Sequence, residues 1–153
     1  MNVRKDEEIL IGERDFDSIY SYTAGTTRSK FLTELRDNQK IVGTRCPDCN
    51  RVLVPARSIC VKCFANLKDF VEVGPSGTVS TYSVIHTSQD FYPLDPPFAL
   101  GVIQLDGADT GFVHFIGEAD PEAIETGIKV EAVFNEERTG SILDIKYFRP
   151  VNK

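Results

Sequence analysis

Apolar positions recur with helical spacing in one stretch of the chain, residues 26–38. The apolar face of this predicted helix consists of Phe31, Leu32 and Leu35. Thr26 or Thr27 is placed to cap the first turn, because a threonine hydroxyl accepts a hydrogen bond from a free backbone N–H group. Short runs of apolar and β-branched residues then predict strands at 41–45, 51–55 and 70–73.

After a turn rich in glycine and proline at 74–77, the pattern changes to a series of strands. These predicted strands lie at 78–87, 98–105, 111–116, 129–135 and 141–148. A compact helix is predicted at 120–127, with Asp120 as its N-cap, Pro121 in its first turn and Gly127 at its end. Three strands, a helix and two strands form the order of an OB-fold, a small five-stranded barrel.

All the cysteines of the chain fall in two Cys-x-x-Cys pairs between the predicted helix and the barrel. They are Cys46, Cys49, Cys60 and Cys63. Each pair can form a tight turn, or knuckle, that points two thiolates at one centre, and two knuckles supply the four ligands of a closed tetrahedral Zn²⁺ site. Because a closed site leaves no position for substrate, we expect a structural zinc ribbon.

Disulfides, iron and redox chemistry also use paired cysteines. Disulfides are typical of secreted proteins, whereas this chain starts with the polar run MNVRKDEE and shows no signal peptide, so we expect a cytoplasmic protein. The pair Cys60 and Cys63 has a matching pair upstream and no βαβ pattern around it, which argues against a redox role. An iron site of the same geometry stays open as an alternative.

These patterns predict a mainly β protein in three parts. We place an N-terminal arm at 1–25, the helix and zinc ribbon at 26–73, and the OB-fold at 74–153. The apolar residues of the arm that are candidates for contacting a partner are Phe16, Ile19, Tyr20 and Tyr22. We expect the helix and ribbon to pack on the barrel, because neither part alone buries a large core. No apolar stretch has the length that a membrane helix needs.

The net charge of −6 is divided unevenly along the chain. Residues 45–68 carry five basic side chains against one acid, a local charge of +4, and the remainder sums to −10. A basic ribbon is one feature of nucleic-acid-binding modules. However, four thiolates and one Zn²⁺ carry a formal charge of −2, and residues 74–153 have a net charge of −7, which repels a polyanion. Nucleic-acid binding is therefore kept only as the alternative function.

The chain carries none of the common catalytic motifs. It has no nucleophile elbow, phosphate loop, HExxH sequence or dinucleotide fingerprint. A catalytic cysteine must be a free, activated thiolate, and every thiol here is assigned to the metal. The only two histidines, His86 and His114, lie in predicted strands, where a structural or surface imidazole is more common than a catalytic one. We predict no catalytic residue.

One stretch resembles a known family. It consists of the helix, the run RCPDC at 45–49, VLVPAR at 52–57, the second cysteine pair and FVEVGPSGTV at 70–79. This combination resembles the family called domain of unknown function 35 (DUF35), and the similarity extends over residues 26–148. The resemblance implies a rubredoxin-like zinc ribbon joined to an OB-fold, with the four cysteines as metal ligands.

The resemblance also implies a role beside an enzyme. Members of the family act as accessory subunits of enzymes of CoA-thioester metabolism, most often a thiolase-like protein and sometimes a hydratase or an aldolase. We therefore expect a hetero-oligomer with a thiolase-like catalytic subunit, in which an acyl-CoA is bound together with the partner.

Two sets of residues are candidates for ligand or partner contacts. The cations that can meet CoA phosphates or a partner are Arg45, Arg51, Arg57 and Lys62, although compensation of the zinc site is their default role. Residues 88–97 form an aromatic, proline-rich loop between the first two barrel strands, with Phe91 and Tyr92 as its candidate contacts. Closing one end of the barrel is the alternative role of this loop.

Overall fold

The computed structural model describes residues 21–90 and 92–151. The predicted arm therefore lies outside the described residues up to position 20, and so does Phe91. The elements, in chain order, are helix α1 (Gly25–Asn38) and strands β1 (Ile41–Arg45), β2 (Val52–Leu53), β3 (Asp69–Val73), β4 (Ser76–Ile85), β5 (Phe98–Leu105), β6 (Gly111–Ile116), β7 (Lys129–Phe134) and β8 (Ile145–Pro150).

Helix α1 lies where the apolar spacing predicts it, but its start differs from the prediction. It begins at Gly25 after Ala24, and the hydroxyl of Thr23 accepts the N–H of Gly25 at 3.2 Å. Thr26 and Thr27 lie inside the helix, so the prediction that one of them is the cap was wrong. The helix buries Phe31 and Leu35. It ends at Asn38, and the next residue, Gln39, adopts the left-handed conformation with φ 54°.

Strands β1, β2 and β3 form a small antiparallel sheet in the order β2-β1-β3. Strand β1 pairs along its full length with β3, from Ile41 opposite Val73 to Arg45 opposite Asp69. Its pairing with β2 is limited to two residue pairs, so β2 is shorter than the predicted strand at 51–55. The two cysteine knuckles lie beyond the ends of these strands.

Strands β4 to β8 close into a barrel in the order β4-β5-β6-β8-β7. Neighbouring strands are antiparallel except β6 and β8, which are parallel and meet at the single pair Ile116 and Phe148. Gly77 allows β4 to lie close to β5, since a Cβ at this position would be 2.6 Å from the carbonyl oxygen of Gln104. The fold is mainly β, with one N-terminal helix and a five-stranded OB-fold, as the sequence predicts.

The prediction of a helix at 120–127 was wrong. Only a 3₁₀ turn over Pro121–Ala123 forms there. Asp120 caps this turn, since its side chain accepts a hydrogen bond from the backbone N–H of Glu122 at 3.1 Å. The chain then becomes extended at Ile124, which is buried in the core. Gly127 donates its N–H to the carbonyl of Val79 at 2.8 Å, so pairing with β4 replaces further helical turns.

The last predicted strand also begins later than expected. Residues Ile142–Asp144 form a 3₁₀ turn, and the strand β8 follows it. The buried carboxylate of Asp144 accepts hydrogen bonds from the backbone N–H groups of Thr139, Gly140 and Ser141 at 2.9, 2.8 and 3.2 Å. This local side-chain bonding competes with strand pairing and holds the turn.

A single apolar core joins the helix, the small sheet and the barrel. Phe31 and Leu35 of α1 and Val54 beyond β2 belong to the same buried cluster as Phe112 and Phe148 of the barrel. The guanidinium of Arg138 also donates to the carbonyl of Arg36 at the end of α1, with a distance of 2.7 Å. The expectation that the helix and ribbon pack on the barrel is confirmed. Among the described residues, no helix has the length and apolar character needed to span a membrane.

Candidate metal centre

The first cysteine knuckle follows directly from strand β1. Cys46 donates its backbone N–H to the carbonyl of Arg51 at 2.9 Å, and its own carbonyl accepts the N–H of Asn50 at 3.0 Å. Asn50 lies in the left-handed region with φ 56°, a conformation that asparagine tolerates better than most residues. The resulting turn projects the side chains of Cys46 and Cys49 to the same side.

The second knuckle repeats this hydrogen-bond pattern. Cys60 donates its backbone N–H to the carbonyl of Ala65 at 2.9 Å, and its carbonyl accepts the N–H of Phe64 at 3.0 Å. Phe64 occupies the position of Asn50 and has nearly the same left-handed backbone, with φ 59°. A bridge between Ile59 and Asn66 holds the base of the turn.

The two knuckles bring all four sulfur atoms together. The sulfurs lie within 4.8 Å of one another. The Sγ atoms of Cys46 and Cys63 are 3.3 Å apart, and those of Cys49 and Cys60 are 3.7 Å apart. A disulfide needs about 2.05 Å, whereas four sulfurs bonded to one tetrahedral Zn²⁺ at about 2.3 Å are about 3.8 Å from each other. The residues therefore fit a tetrahedral metal site, and the four cysteines are positioned to bind a metal.

Burial differs strongly across the four thiols. Cys46 and Cys60 are buried, Cys49 is half-buried and Cys63 is exposed. The sulfur cluster is covered on its inner side by Leu53 and Leu67. The sulfur cluster therefore lies between the apolar interior and the protein surface.

Electrostatics in the cluster favour a bound cation. The backbone N–H groups of Cys63 and Lys62 point at the sulfur of Cys60 and lower its pKa to about 6. The N–H of Ala65 favours the Cys63 thiolate, but the neighbouring thiol of Cys46, burial and the other two thiols raise the pKa of Cys63 to about 12. Four thiolates crowd together only if a positive charge lies between them, and a bound Zn²⁺ supplies that charge.

The four cations singled out in the sequence do not share one site. Arg45 is exposed and lies 4.0 Å from the carboxylate of Asp69. Arg51 donates to the carbonyl of Asp109 in the barrel at 2.9 Å. Arg57 lines a groove of about 540 Å³ between the start of α1 and the second knuckle, and Lys62 is exposed in that knuckle.

The aromatic loop before β5 packs on the barrel. The ring of Tyr92 meets Phe98 edge-on, with centroids 5.0 Å apart, and meets Phe115 at 6.5 Å. This packing agrees with the alternative role of the loop, closing part of the barrel surface.

The two histidines lie in different environments. His86 follows the end of β4, is exposed and has its Nε2 3.5 Å from a carboxylate oxygen of Glu122. His114 is buried in the barrel, where its ring stacks on Phe112 and its Nε2 lies 3.2 Å from the carbonyl oxygen of Ile142. Its Nδ1 is the one buried side-chain nitrogen or oxygen without a hydrogen-bond partner in the part of the chain that the structure describes.

Two features of the ribbon were missed by the sequence analysis. The first is the joint between ribbon and barrel, made by Asp109 and Thr110 with the backbone of Val52 and Val54. The carboxylate of Asp109 accepts the N–H of Val52 at 2.8 Å, and the Thr110 hydroxyl bonds both the N–H and the carbonyl of Val54 at 2.8 and 2.9 Å. Local sequence patterns do not predict contacts between residues so far apart along the chain.

The second missed feature is the apolar surface of the second knuckle. Ile59, Val61 and Phe64 are exposed, to 50%, 54% and 78% of their surface respectively. The signal for it was present in the sequence, because a phenylalanine follows the second cysteine pair where an asparagine follows the first.

Comparison with known proteins gives the family of the chain. The family description "ChsH2, rubredoxin-like zinc ribbon domain" matches residues 33–67, and "ChsH2, C-terminal OB-fold domain" matches residues 70–135. These matches agree with the zinc ribbon and the barrel of the structure.

Relatives and a solved structure agree with this assignment. A "DUF35 domain-containing scaffold protein" of Methanocaldococcus jannaschii is 28% identical over 76% of this chain and 86% of its own length. A protein of the same description from Methanothermobacter thermautotrophicus is 32% identical over 64% of this chain and 74% of its own length. The solved structure titled "Ltp2-ChsH2(DUF35) aldolase" superimposes with a TM-score of 0.61 at 24% identity and covers 84% of this chain and 98% of that one, which shows a shared fold.

Proposed function

Because this chain belongs to the DUF35 family, we propose that it is a zinc-binding, non-catalytic accessory subunit of an enzyme complex that acts on acyl-CoA thioesters. The observation that carries the proposal is the sulfur cluster. All four cysteine sulfurs lie within 4.8 Å of one another, so a metal bound there engages every thiol of the chain. Carbon–carbon bond cleavage at an acyl-CoA by a thiolase needs a free cysteine thiolate, which a partner subunit must then supply.

The metal is zinc in this proposal, with Cys46, Cys49, Cys60 and Cys63 as its ligands. A closed set of four thiolates leaves no position for water or substrate, so the ion supplies structure and no chemistry of the reaction. Holding the knuckles in place keeps the basic surface of the ribbon and the acidic barrel in a fixed arrangement for a partner.

Two features support an enzyme partner. The relatives are described as scaffold proteins, and the structural neighbour is titled as an aldolase that contains a DUF35 component. For this chain we propose a thiolase-type catalytic subunit in a cytoplasmic hetero-oligomer, with Arg45, Arg51, Arg57 and Lys62 as contacts, at separate points of the ribbon surface, for the partner or the CoA phosphates. The small subunit of a benzoylsuccinyl-CoA thiolase is the specific member type that we propose.

Co-expression with the thiolase-type proteins of the same organism tests the proposal. We expect one of them to co-purify with this chain, with one zinc ion per copy of this chain. Acyl-CoA cleavage should be measurable with the complex and absent with this chain alone. Turnover by this chain alone that is lost in His114→Ala or His86→Ala would contradict the proposal. Tight, steeply salt-dependent binding of DNA or RNA would favour the nucleic-acid alternative instead.

A further inference from the structure

The two knuckles share one backbone geometry but differ in the residue that holds the left-handed position. Asn50 and Phe64 each donate their N–H to the carbonyl of the first cysteine of their pair at 3.0 Å, and their φ angles are 56° and 59°. Asparagine is enriched in this backbone region, whereas a bulky residue there is an outlier that costs free energy. The fold alone therefore favours a residue other than phenylalanine at position 64.

Against the residues that the structure describes, the side chain of Phe64 packs too little to offset the cost. It is 78% exposed, and the buried cluster around the cysteines consists of Cys46, Leu53, Cys60 and Leu67, with Cys49 and Ala65 packed on it. Strained residues of this kind are found at functional positions, where something outside the local fold compensates for the strain.

Phe64 belongs to a larger apolar surface, which we call the second-knuckle patch and define as Ile59, Val61 and Phe64. Each of these side chains is at least half exposed, and all lie within six consecutive residues. Ile59 and Val61 also line the groove of about 540 Å³ at the start of α1. Large apolar residues clustered on a surface mark interaction sites, and aromatic side chains dominate the energy of such interfaces.

The charge around the second-knuckle patch indicates what covers it. Arg28 and Arg57 line the same groove, none of its lining residues that the structure describes is acidic, and Lys62 lies between Val61 and Phe64 in the sequence. Within residues 21–90 and 92–151, none of these three cations forms an ion pair with a carboxylate. A surface that combines exposed apolar side chains with unpaired cations complements an apolar pocket bordered by carboxylates.

We propose that the second-knuckle patch is the docking site for the catalytic subunit, with Phe64 inserted into an apolar pocket of that enzyme and Lys62, Arg57 and Arg28 facing acidic residues at its rim. This inference rests on the proposed function, because it takes the enzyme as the occupant. It assigns the zinc ribbon a task beyond its own stability, since the metal holds the knuckle that presents Phe64.

Binding of the thiolase-type protein that co-purifies with this chain tests the inference. Isothermal titration would compare the wild type with Phe64→Asn, which places in the second knuckle the residue found in the first. We expect Phe64→Asn to bind about 30-fold more weakly, the loss typical of an interface hot spot. The variant should keep one zinc per chain and unfold at a temperature no lower than the wild type, because asparagine relieves the backbone strain.

Two further variants make the comparison specific. Val61→Asn changes the same patch without touching the left-handed position, and we expect about tenfold weaker binding. Val113→Asn is the matched control, since Val113 is exposed to a similar degree, 58%, but lies on strand β6 of the barrel. Its affinity should stay within about twofold of the wild type, which is within the range of neutral surface positions.

The outcomes separate this inference from the proposed function. Wild-type affinity in both Phe64→Asn and Val61→Asn would overturn the docking site and leave the accessory role standing, whereas no binding by the wild type would contradict both. A lower unfolding temperature for Phe64→Asn would show that Phe64 packs within its own chain and would overturn the inference. So would a wild-type dimer, seen by sedimentation, that Phe64→Asn dissociates, because the occupant would then be a second copy.

Discussion

The zinc ribbon and the barrel are stabilised by different means, although one apolar cluster joins them. The barrel is filled by large buried side chains such as Phe112, Phe148 and Ile103. Around the cysteines, the apolar residues that are fully buried are Leu53 and Leu67. Burying one leucine contributes about 1.5–3 kcal/mol, whereas ordering the backbone costs about 1–2 kcal/mol per residue. Two leucines cannot offset the cost of ordering the two knuckles, residues 46–51 and 60–66, so the knuckles need the metal.

We expect the largest effect from removing the metal, which should unfold the knuckles of the zinc ribbon and leave the barrel folded. Cys49→Ser takes away one of the four ligands, and the binding free energy of a structural Zn²⁺ in a small domain is about 10–16 kcal/mol. We expect residues 46–51 and 60–66 to lose their protection against amide hydrogen exchange, with loss of zinc, while strands β5 and β6 stay protected. Hydrogen exchange followed by mass spectrometry measures both regions in one experiment.

Asn50→Gly is the matched control for this experiment. It changes the neighbouring residue of the same knuckle, and glycine adopts the left-handed backbone of Asn50 without strain. Zinc content and protection should therefore stay as in the wild type. If Cys49→Ser kept full zinc occupancy and protection, the knuckles would not depend on the fourth ligand.

A smaller effect is expected at the joint between ribbon and barrel. Thr110→Val removes the hydroxyl that bonds the N–H and the carbonyl of Val54, which is fully buried. A buried backbone group left without a partner costs about 1–3 kcal/mol, so the urea midpoint of the whole chain should fall. Thr81→Val, on an exposed position of β4, should leave the midpoint unchanged. A wild-type midpoint for Thr110→Val would show that this joint contributes nothing to stability.

The smallest effect is a dependence of barrel stability on pH. Burial lowers the pKa of His114 below its ordinary value, and the hydrogen bond to the carbonyl of Ile142 opposes the shift only in part. Below about pH 6.5 this histidine is protonated in the unfolded chain but still neutral in the folded chain. The unfolding free energy should therefore fall as the pH decreases from about 6.5 toward the lower pKa of the folded state.

Urea unfolding at pH 7.5 and pH 5.5 measures this contribution. His114→Gln removes the titrating group and keeps an N–H donor for the carbonyl of Ile142, so its midpoint should change less between the two pH values than that of the wild type. His86→Gln changes the exposed histidine and should behave as the wild type does. Equal pH dependence in all three proteins would exclude His114 as the cause.

Local patterns predicted most elements because each depends on residues close together in the chain. The strand at 98–105 and the helix ending at Asn38 agree with the apolar periodicity, and the knuckles follow from the cysteine spacing alone. The errors occurred where a distant contact decides the conformation. Ile124 becomes extended because it is buried in the core and because Gly127 pairs with Val79, contacts that no window around 120–127 contains.

In the candidate metal site, too, local features could be predicted and features that depend on distant contacts could not. The convergence of the four sulfurs could be predicted, since both knuckles are local turns on one small sheet. The positions of the cations could not, because Arg51 is held by a carbonyl of the barrel at Asp109, 58 residues further along. The exposure of Phe64 depends on the surface around it, although the contrast with Asn50 was visible in the sequence.

The cluster that contains Phe31, Leu35, Val54, Phe112 and Phe148 sets a limit on how this polypeptide can be divided. Dividing the chain after the ribbon would expose apolar surface on both fragments, so each fragment would aggregate when produced by itself. Swapping ribbons between relatives would meet the same obstacle unless the facing barrel residues were exchanged with them. The gene is thus better treated as one unit in engineering, although its sequence matches two separate family descriptions.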